Sequence, residues 1–420
     1  MKRINIALKI FTVVALAVLF IYSYNKIPKL TYGFAAYYTF SKILYTGEDL
    51  SRGYEAEYFN EKINEYGFKN IYDLYNIIPS NAFVYLPVVW LAPETAKITW
   101  GIFSIILLLS ASIILLNAFN IKLTSNSGLI YLIIIFLWYP VYENIALGQM
   151  YIFLFFLFSL SMYGLSKGRK FMNYFPVILS VLFKGYGIFY YTWLLVTKRY
   201  KEFIVSLILI AGLIIISLPV IHLSVWKTFL DVTFTTLGRF NEDSNVAYQT
   251  INGFVRHLFV YHNELNPNTI LNIPTNFVFA FVIVINLLFA GLLLIKSKKL
   301  SGNPGYSLLS LSAVFASSVT TAPMAEEYTY ILFIPLVIAL GCLLFKVSPE
   351  NPTGLITGPK IFYVFAVLEI MLPIHYKHMQ NYTFPSYLLA YPKLYGGLIL
   401  LILFLTIKPP SVQESKVIPN

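Results

Sequence analysis

The stretch FMNYFPVILSVLFKGYGIFYYTWLLV, residues 171–196, decides how this chain is threaded. It is apolar throughout except at Lys184-Gly185-Tyr186-Gly187. Basic loops bound it on both sides, Lys167-Gly168-Arg169-Lys170 before and Lys198-Arg199-Tyr200-Lys201 after. Loops rich in Lys and Arg stay on the cytoplasmic side of a membrane. If both are cytoplasmic, residues 171–196 enter and return as two half-helices, with the two glycines supplying the turn. Irregular backbone at membrane depth is tolerated where it lines a protein cavity. A single crossing would put several of the later basic clusters outside: Lys296-Ser297-Lys298-Lys299, Lys346 and Lys408.

Outward from this hairpin the chain is greasy. Of its 420 residues, 58% are hydrophobic, 17% aromatic and 12% charged. Soluble domains run near 45–50% apolar and about 25% charged. That excludes a water-soluble globule, a disordered chain and a disulfide scaffold, and leaves a polytopic all-α membrane protein. The formal charge of +11 is read as a topology signal rather than a nucleic-acid footprint. Cys342 is the one cysteine, so no intrachain disulfide forms.

A spanning helix needs about 20 apolar residues. The first run is Ile6–Tyr24, behind Met1-Lys2-Arg3 and without a small-residue cleavage site. It reads as an uncleaved helix with its N-terminus inside. Further runs are Ile98–Phe119, Leu129–Val141, Tyr151–Leu165, Phe203–Ile221, Phe277–Ile295, Tyr306–Thr320, Tyr328–Phe345, Ile361–Ile374 and Tyr387–Ile407. Together these predict one membrane domain over residues 1–420, with about 10–12 transmembrane or re-entrant helices. Both termini are placed in the cytoplasm of a plasma (inner) membrane protein. No internal repeat and no soluble domain is found.

With the hairpin in place, the polar segments fall on the outer face. The first outer loop, residues 25–80, carries Phe34, Tyr37, Tyr38, Ser41, Leu44 and Tyr45 at helical spacing, which predicts an amphipathic surface helix ended by Gly47. A second is read from Tyr54 to Tyr66. Of the loop's seven acids, Glu55 to Glu65 read as a solvated face and Asp73 has no assigned part. Glu48 and Asp49 follow a glycine at a helix end, where a carboxylate can be aimed. The proline-broken piece from Ile78 to Pro93 is too short to span and reads as a roof over a cavity.

Asn144 and Gln149 flank Gly148 at a membrane boundary, where amides need partners. Helix capping is the plainer reading. Lys184 lies inside an apolar stretch, where an ammonium faces a cavity, holds an anion such as phosphate, or snorkels. The outer loop 224–274 contains the amide-rich segment Arg239–Asn245, then Gln249, Thr250, Arg256 and His257. Amides and hydroxyls suit sugar hydroxyls, and Arg binds phosphate bidentately. Glu326-Glu327-Tyr328 sits at another span end. No phosphate-binding glycine loop, His-Glu-x-x-His or Gly-x-Ser-x-Gly motif occurs.

The order of these motifs resembles the polyprenol-phosphate-mannose-dependent mannosyltransferases of glycosyltransferase family 87, which have a GT-C membrane fold. The resemblance runs from about residue 30 to 340. It rests on Tyr37-Tyr38 followed by Gly47, on Asn144 with Gly148-Gln149, on Lys184, and on Gln249-Thr250 with Arg256. It implies transfer of a hexose, mannose in the family, from a polyprenyl phosphate sugar to a glycan, lipid or other acceptor hydroxyl at the outer face, with inversion. Lys184 and Arg256 would meet the departing phosphate; Tyr37, Tyr38, Asn144, Gln149, Gln249 and Thr250 would hold the sugar. No cofactor is implied and no divalent metal is required. Where the family tends to place its catalytic Asp, the expected base, this chain has Gly33, and the residues offer the carboxylates Glu48, Asp49 and then Glu327 for that role instead. A different class remains open, a transporter or flippase of lipid-linked glycans, as does a family member that has lost catalysis.

Overall fold

The computed structural model describes residues 2–72, 77–239, 245–263, 266–301, 304–345 and 358–408. Asp73, Lys346 and residues 240–244 of the amide-rich segment lie outside them. Among the described residues the chain is helical, with no β-strand. Four long apolar helices are α1 (Lys2–Lys26), α5 (Pro93–Ala118), α11 (Tyr200–Ser217) and α14 (Thr275–Leu300). Their outward faces carry exposed large apolar side chains, such as Phe11 on α1, Ile216 on α11 and Leu287 on α14. An apolar surface of that extent is stable in hydrocarbon and not in water. A fifth apolar stretch, Glu327–Leu344, is the opposite case. It starts as a 3-10 turn, Glu327–Phe333, and continues as α16 (Ile334–Leu344). Every residue from Thr329 to Gly341 is buried, so this element is the centre of the bundle.

Shorter helices pack around it, α8 (Tyr151–Ser166), α15 (Pro304–Thr320), α17 (Gly358–Met371) and α18 (Pro392–Thr406), while α9 (Lys170–Lys184) packs on α8 and α10 (Phe189–Val196) on α15. Phe158 of α8 stacks on Phe315 of α15 with ring centres 3.8 Å apart. Between α9 and α10 the backbone turns through Gly185 (φ 75°) and Gly187 (φ 93°), at the position where the sequence predicts the hairpin apex. By helical rise α9 and α10 measure about 22 and 12 Å, each shorter than a ~30 Å hydrocarbon core.

Three expectations change. The single span Leu129–Val141 is broken into α6 (Asn126–Phe136) and α7 (Tyr139–Leu147), bent by 44°. Pro140 has no N–H for the Phe136 carbonyl, and the Tyr142 hydroxyl donates to that carbonyl instead at 2.7 Å. The last span starts at Pro392 rather than Tyr387, after a 3-10 turn over Ser386–Ala390. In the first loop, α2 (Tyr32–Thr46) and α3 (Ala56–Glu65) form where helical spacing places them. Yet α2 is buried at every residue from Gly33 to Ser41, so it is a packed element rather than a half-exposed surface helix. The remaining helices are α4 (Ala82–Tyr85), α12 (Leu223–Arg239) and α13 (Ile251–Phe259).

Candidate functional site

Helix α7 ends in a left-handed glycine. Gly148 has φ 66°, and the Gln149 N–H donates to the Asn144 carbonyl across it at 3.0 Å, a Schellman ending. A side chain at 148 would also meet Lys97 Cε and Phe34 Cβ at 2.8 Å. The Lys97 ammonium, on α5, donates to the carbonyls of Ile145 and Ala146 at 3.2 and 2.9 Å. A buried cation thus satisfies the helix end that the turn leaves open. Asn144 holds the other side: its amide donates to Pro140 O and to Tyr328 O at 2.8 and 2.7 Å. The spacing Asn-x-x-x-Gly-Gln is therefore a helix stop that anchors the Tyr328 backbone and delivers Gln149.

Lys184 is delivered by a second helix end. Ser80 and Asn81 donate to the Leu182 and Phe183 carbonyls at 2.6 and 2.8 Å, capping the last turn of α9. The Lys184 ammonium crosses to the Tyr37 hydroxyl on α2, lying 4.8 Å from the Tyr37 ring centre and 5.7 Å from that of Tyr151. Tyr37 donates in turn to Gln149 Oε1 at 3.1 Å and stacks on Tyr85. Gly33 permits this approach: a β-carbon there would lie 2.2 Å from Gln149 Nε2.

These groups open on one cavity of about 440 Å³, lined by Tyr37, Gln149, Lys184, Tyr248, Glu326 and Tyr328 together with Tyr32, Gly33, Ala36, Tyr72 and Ile77. Its size is that of an ordinary small-ligand site. Among the described residues the carboxylate that lines it is Glu326. Burial raises the Glu326 carboxyl above its ordinary value, with Lys377 and a hydrogen bond from Tyr328 opposing. Glu327, its neighbour, lines a separate cavity of about 260 Å³ with Tyr139, Glu143 and Lys377.

The other residues singled out in the sequence are placed elsewhere. Glu48 accepts from Lys62, Tyr58 and Tyr66 at 2.7 Å and from Thr46 at 3.0 Å. Burial would raise its carboxyl, but these donors outweigh it and hold it at about 2. Asp49 caps the 3-10 turn Leu50–Tyr54, accepting from Ser51 N and Oγ at 2.9 and 2.7 Å, and those bonds lower its carboxyl. Neither acid lines either cavity. Tyr38 donates to Leu91 O at 2.7 Å. Gln249 is spent on Val246 O and Ala390 O, both at 2.8 Å, and accepts from Lys393 N at 3.2 Å. Thr250 caps α13 through Gly253 N at 2.9 Å. Arg256, on α13, is buried and borders neither cavity. The residues that sequence reading passed over are Tyr32, Tyr72, Tyr248, Lys97 and Lys377; the tyrosines carry no spacing signal, because side chains from separate segments converge only after folding.

The family model for glycosyltransferase family 87 matches residues 78–323. That is narrower than the resemblance from residue 30 to 340, and leaves Gly33, Tyr37 and Glu326 outside it. Gln149, Lys184 and Tyr248 lie within it. No curated protein and no solved structure matches the chain. With more than half its length matched, this membrane protein belongs to glycosyltransferase family 87 and is a glycosyltransferase.

Proposed function

We propose that the larger cavity binds a polyprenyl phosphate hexose, with mannose the first candidate, and transfers the sugar to an acceptor hydroxyl at the outer face of the membrane. One observation carries this: the Lys184 ammonium, the Gln149 amide and the Glu326 carboxylate line the same aromatic-walled cavity. Lys184 meets the charge on the donor phosphate, where positive charge is worth most as the phosphate departs. Gln149 and Tyr37 hold sugar hydroxyls, and the tyrosine faces pack on the ring. Glu326 accepts the proton of the acceptor hydroxyl. The acceptor oxygen bonds to the anomeric carbon as the bond to phosphate oxygen breaks, so configuration inverts and the lipid phosphate leaves. Asn144, Tyr38, Gln249 and Thr250 keep the walls in place through their backbone contacts. A proton acceptor in this position contributes roughly 10²–10⁴-fold.

The test is purified protein in lipid nanodiscs with a panel of polyprenyl phosphate sugars, scored by released lipid phosphate and glycosylated product. Release that vanishes in Lys184→Met supports the reading. Passage of intact donor across the bilayer, with no cleavage by the wild type, would establish a flippase instead.

A further inference from the structure

The two cavities share a wall. Glu326 and Tyr328 line the larger one and Glu327 the smaller. Glu326 is in extended conformation (φ −82°, ψ 172°), so the chain sends the two adjacent carboxylates in different directions. Lys377 stands between them, 3.7 Å from Glu326 Oε2 and 3.6 Å from Glu327 Oε1. Both separations exceed hydrogen-bond length, and the lysine side chain is 48% exposed. A contact of that kind is weak and readily exchanged.

The smaller cavity is polar. Glu327 is 95% withdrawn from solvent, yet its Oε2 has no hydrogen-bond partner among the described residues. A buried carboxylate oxygen without a donor is unfavourable, so a ligand that donates to it is stabilised there. Glu143 faces the same space from α7 and accepts from the Tyr139 hydroxyl at 2.8 Å. His375 and His378 stand exposed at the mouth. A phosphate does not fit, since the lining carboxylates Glu143 and Glu327 offset Lys377 and the buried Lys393 that acts on both of them, which leaves no net positive charge for an anion. A metal does not fit either: no group of His, Cys, Asp or Glu among the described residues is arranged to hold one. What fits is a neutral ligand that both donates and accepts many hydrogen bonds. At about 260 Å³ the space is below the roughly 300–1,000 Å³ of a complete small-molecule site, and suits one ring.

We propose that this smaller cavity is the acceptor subsite, holding one neutral sugar ring through hydroxyls that donate to Glu327 and Glu143. Lys377 is the displaceable partition that the reacting hydroxyl passes on its way to Glu326. This assignment rests on the donor occupying the larger cavity.

The experiment uses the full-length protein in nanodiscs. Methyl α-mannoside and methyl α-glucoside serve as probes in saturation-transfer NMR, and binding of radiolabelled polyprenyl phosphate mannose is measured in parallel. The wild type and Lys184→Met should both transfer saturation to a glycoside. Glu143→Gln and Glu327→Gln should weaken that signal about tenfold, and Glu143→Gln should still bind the donor, which shows that its fold is intact. A glycoside signal that is missing in the wild type, unchanged in both glutamine variants, or lost in Lys184→Met overturns the subsite. A glycoside signal with the expected pattern but no donor binding in any form leaves a sugar-binding cavity standing and overturns the donor reading, and with it the acceptor role.

Discussion

The acid pair Glu48-Asp49 sits just past the end of α2, and the pair Glu326-Glu327 sits where α15 hands over to the buried central element. In sequence they look alike, two adjacent carboxylates beside a turn. The fold gives them opposite surroundings. Glu48 has four donors within 3.0 Å, and Asp49 closes a turn on Ser51. Glu326 and Glu327 share one lysine at 3.6–3.7 Å, and one of their oxygens has no donor. The lesson is that a carboxylate is available for chemistry when its neighbours leave it underserved. The first pair is saturated by local hydroxyls and an amine that lie within 20 residues of it in sequence. The second adjoins Tyr328, whose carbonyl is held by the Asn144 side chain of α7 at 2.7 Å, and faces two cavities.

The largest expected effect follows from that difference. Glu326→Gln keeps the shape and removes the proposed proton acceptor, so turnover should fall roughly 10²–10⁴-fold, with donor binding retained. The pH profile sharpens it. Burial raises the Glu326 carboxyl above 4.5, and the base must be ionised, so activity should rise with pH through a value above that of an ordinary carboxylate. Lys377→Met is next. Lys377 lowers the Glu326 carboxyl, so its removal should move the acid limb of the profile to still higher pH. A limb that stays near 4.5 in the wild type, or does not move in Lys377→Met, would detach Glu326 from the proton transfer.

Much of this was legible in the residues and some was not. Gly47, Gly148 and the Gly185–Gly187 turn mark helix ends by the simple need for positive φ, and each helix stops there. Among the described residues, five of the apolar runs fall in helices long and apolar enough to cross a membrane, and the others form shorter or broken helices. What pattern could not reveal is burial in three dimensions. The spacing of Phe34, Tyr37, Tyr38 and Ser41 reads as a one-sided helix, whereas α2 is buried from Gly33 to Ser41 among α3, α4 and α7 and is exposed only toward its ends, at Tyr32, Tyr45 and Thr46. Gln249 reads as a ligand amide because Gln suits sugars, whereas it is fully committed to backbone groups of Val246, Ala390 and Lys393. Lys97 draws no notice in the sequence, just ahead of the apolar run from Ile98, because its burial against α7 depends on residues some fifty positions away.

On the other side of the comparison the effects are on stability. Glu48→Gln removes the charge that Lys62, Tyr58 and Tyr66 converge on, and should lower the stability of the first loop by about 1–3 kcal/mol. The sign with pH is fixed. The folded carboxyl is held at about 2, below its ordinary 4.5, so the stabilisation is complete above 4.5 and is lost as pH falls from there toward 2. The gap in melting temperature between wild type and Glu48→Gln should therefore close over that window. Transfer activity near neutral pH should persist in the surviving folded fraction.

The smallest effect belongs to Asp49. Its carboxylate does one thing in the structure, capping a single 3-10 turn through Ser51 N and Oγ. Replacing a cap residue with alanine typically removes about 1 kcal/mol, and a one-turn element on an exposed side chain should fall at the lower end. Asp49→Ala should thus shift the melting temperature slightly, less than Glu48→Gln, with kcat and KM for sugar transfer unchanged. Asp49→Asn should recover most of the shift, because an amide oxygen can still accept from Ser51 N. A collapse of kcat in Asp49→Ala with an unchanged melting temperature would reverse the comparison. It would mean that the first-loop pair reaches the reacting atoms in a state where α2 has moved, and that saturation by local donors is no guide to which carboxylate does chemistry.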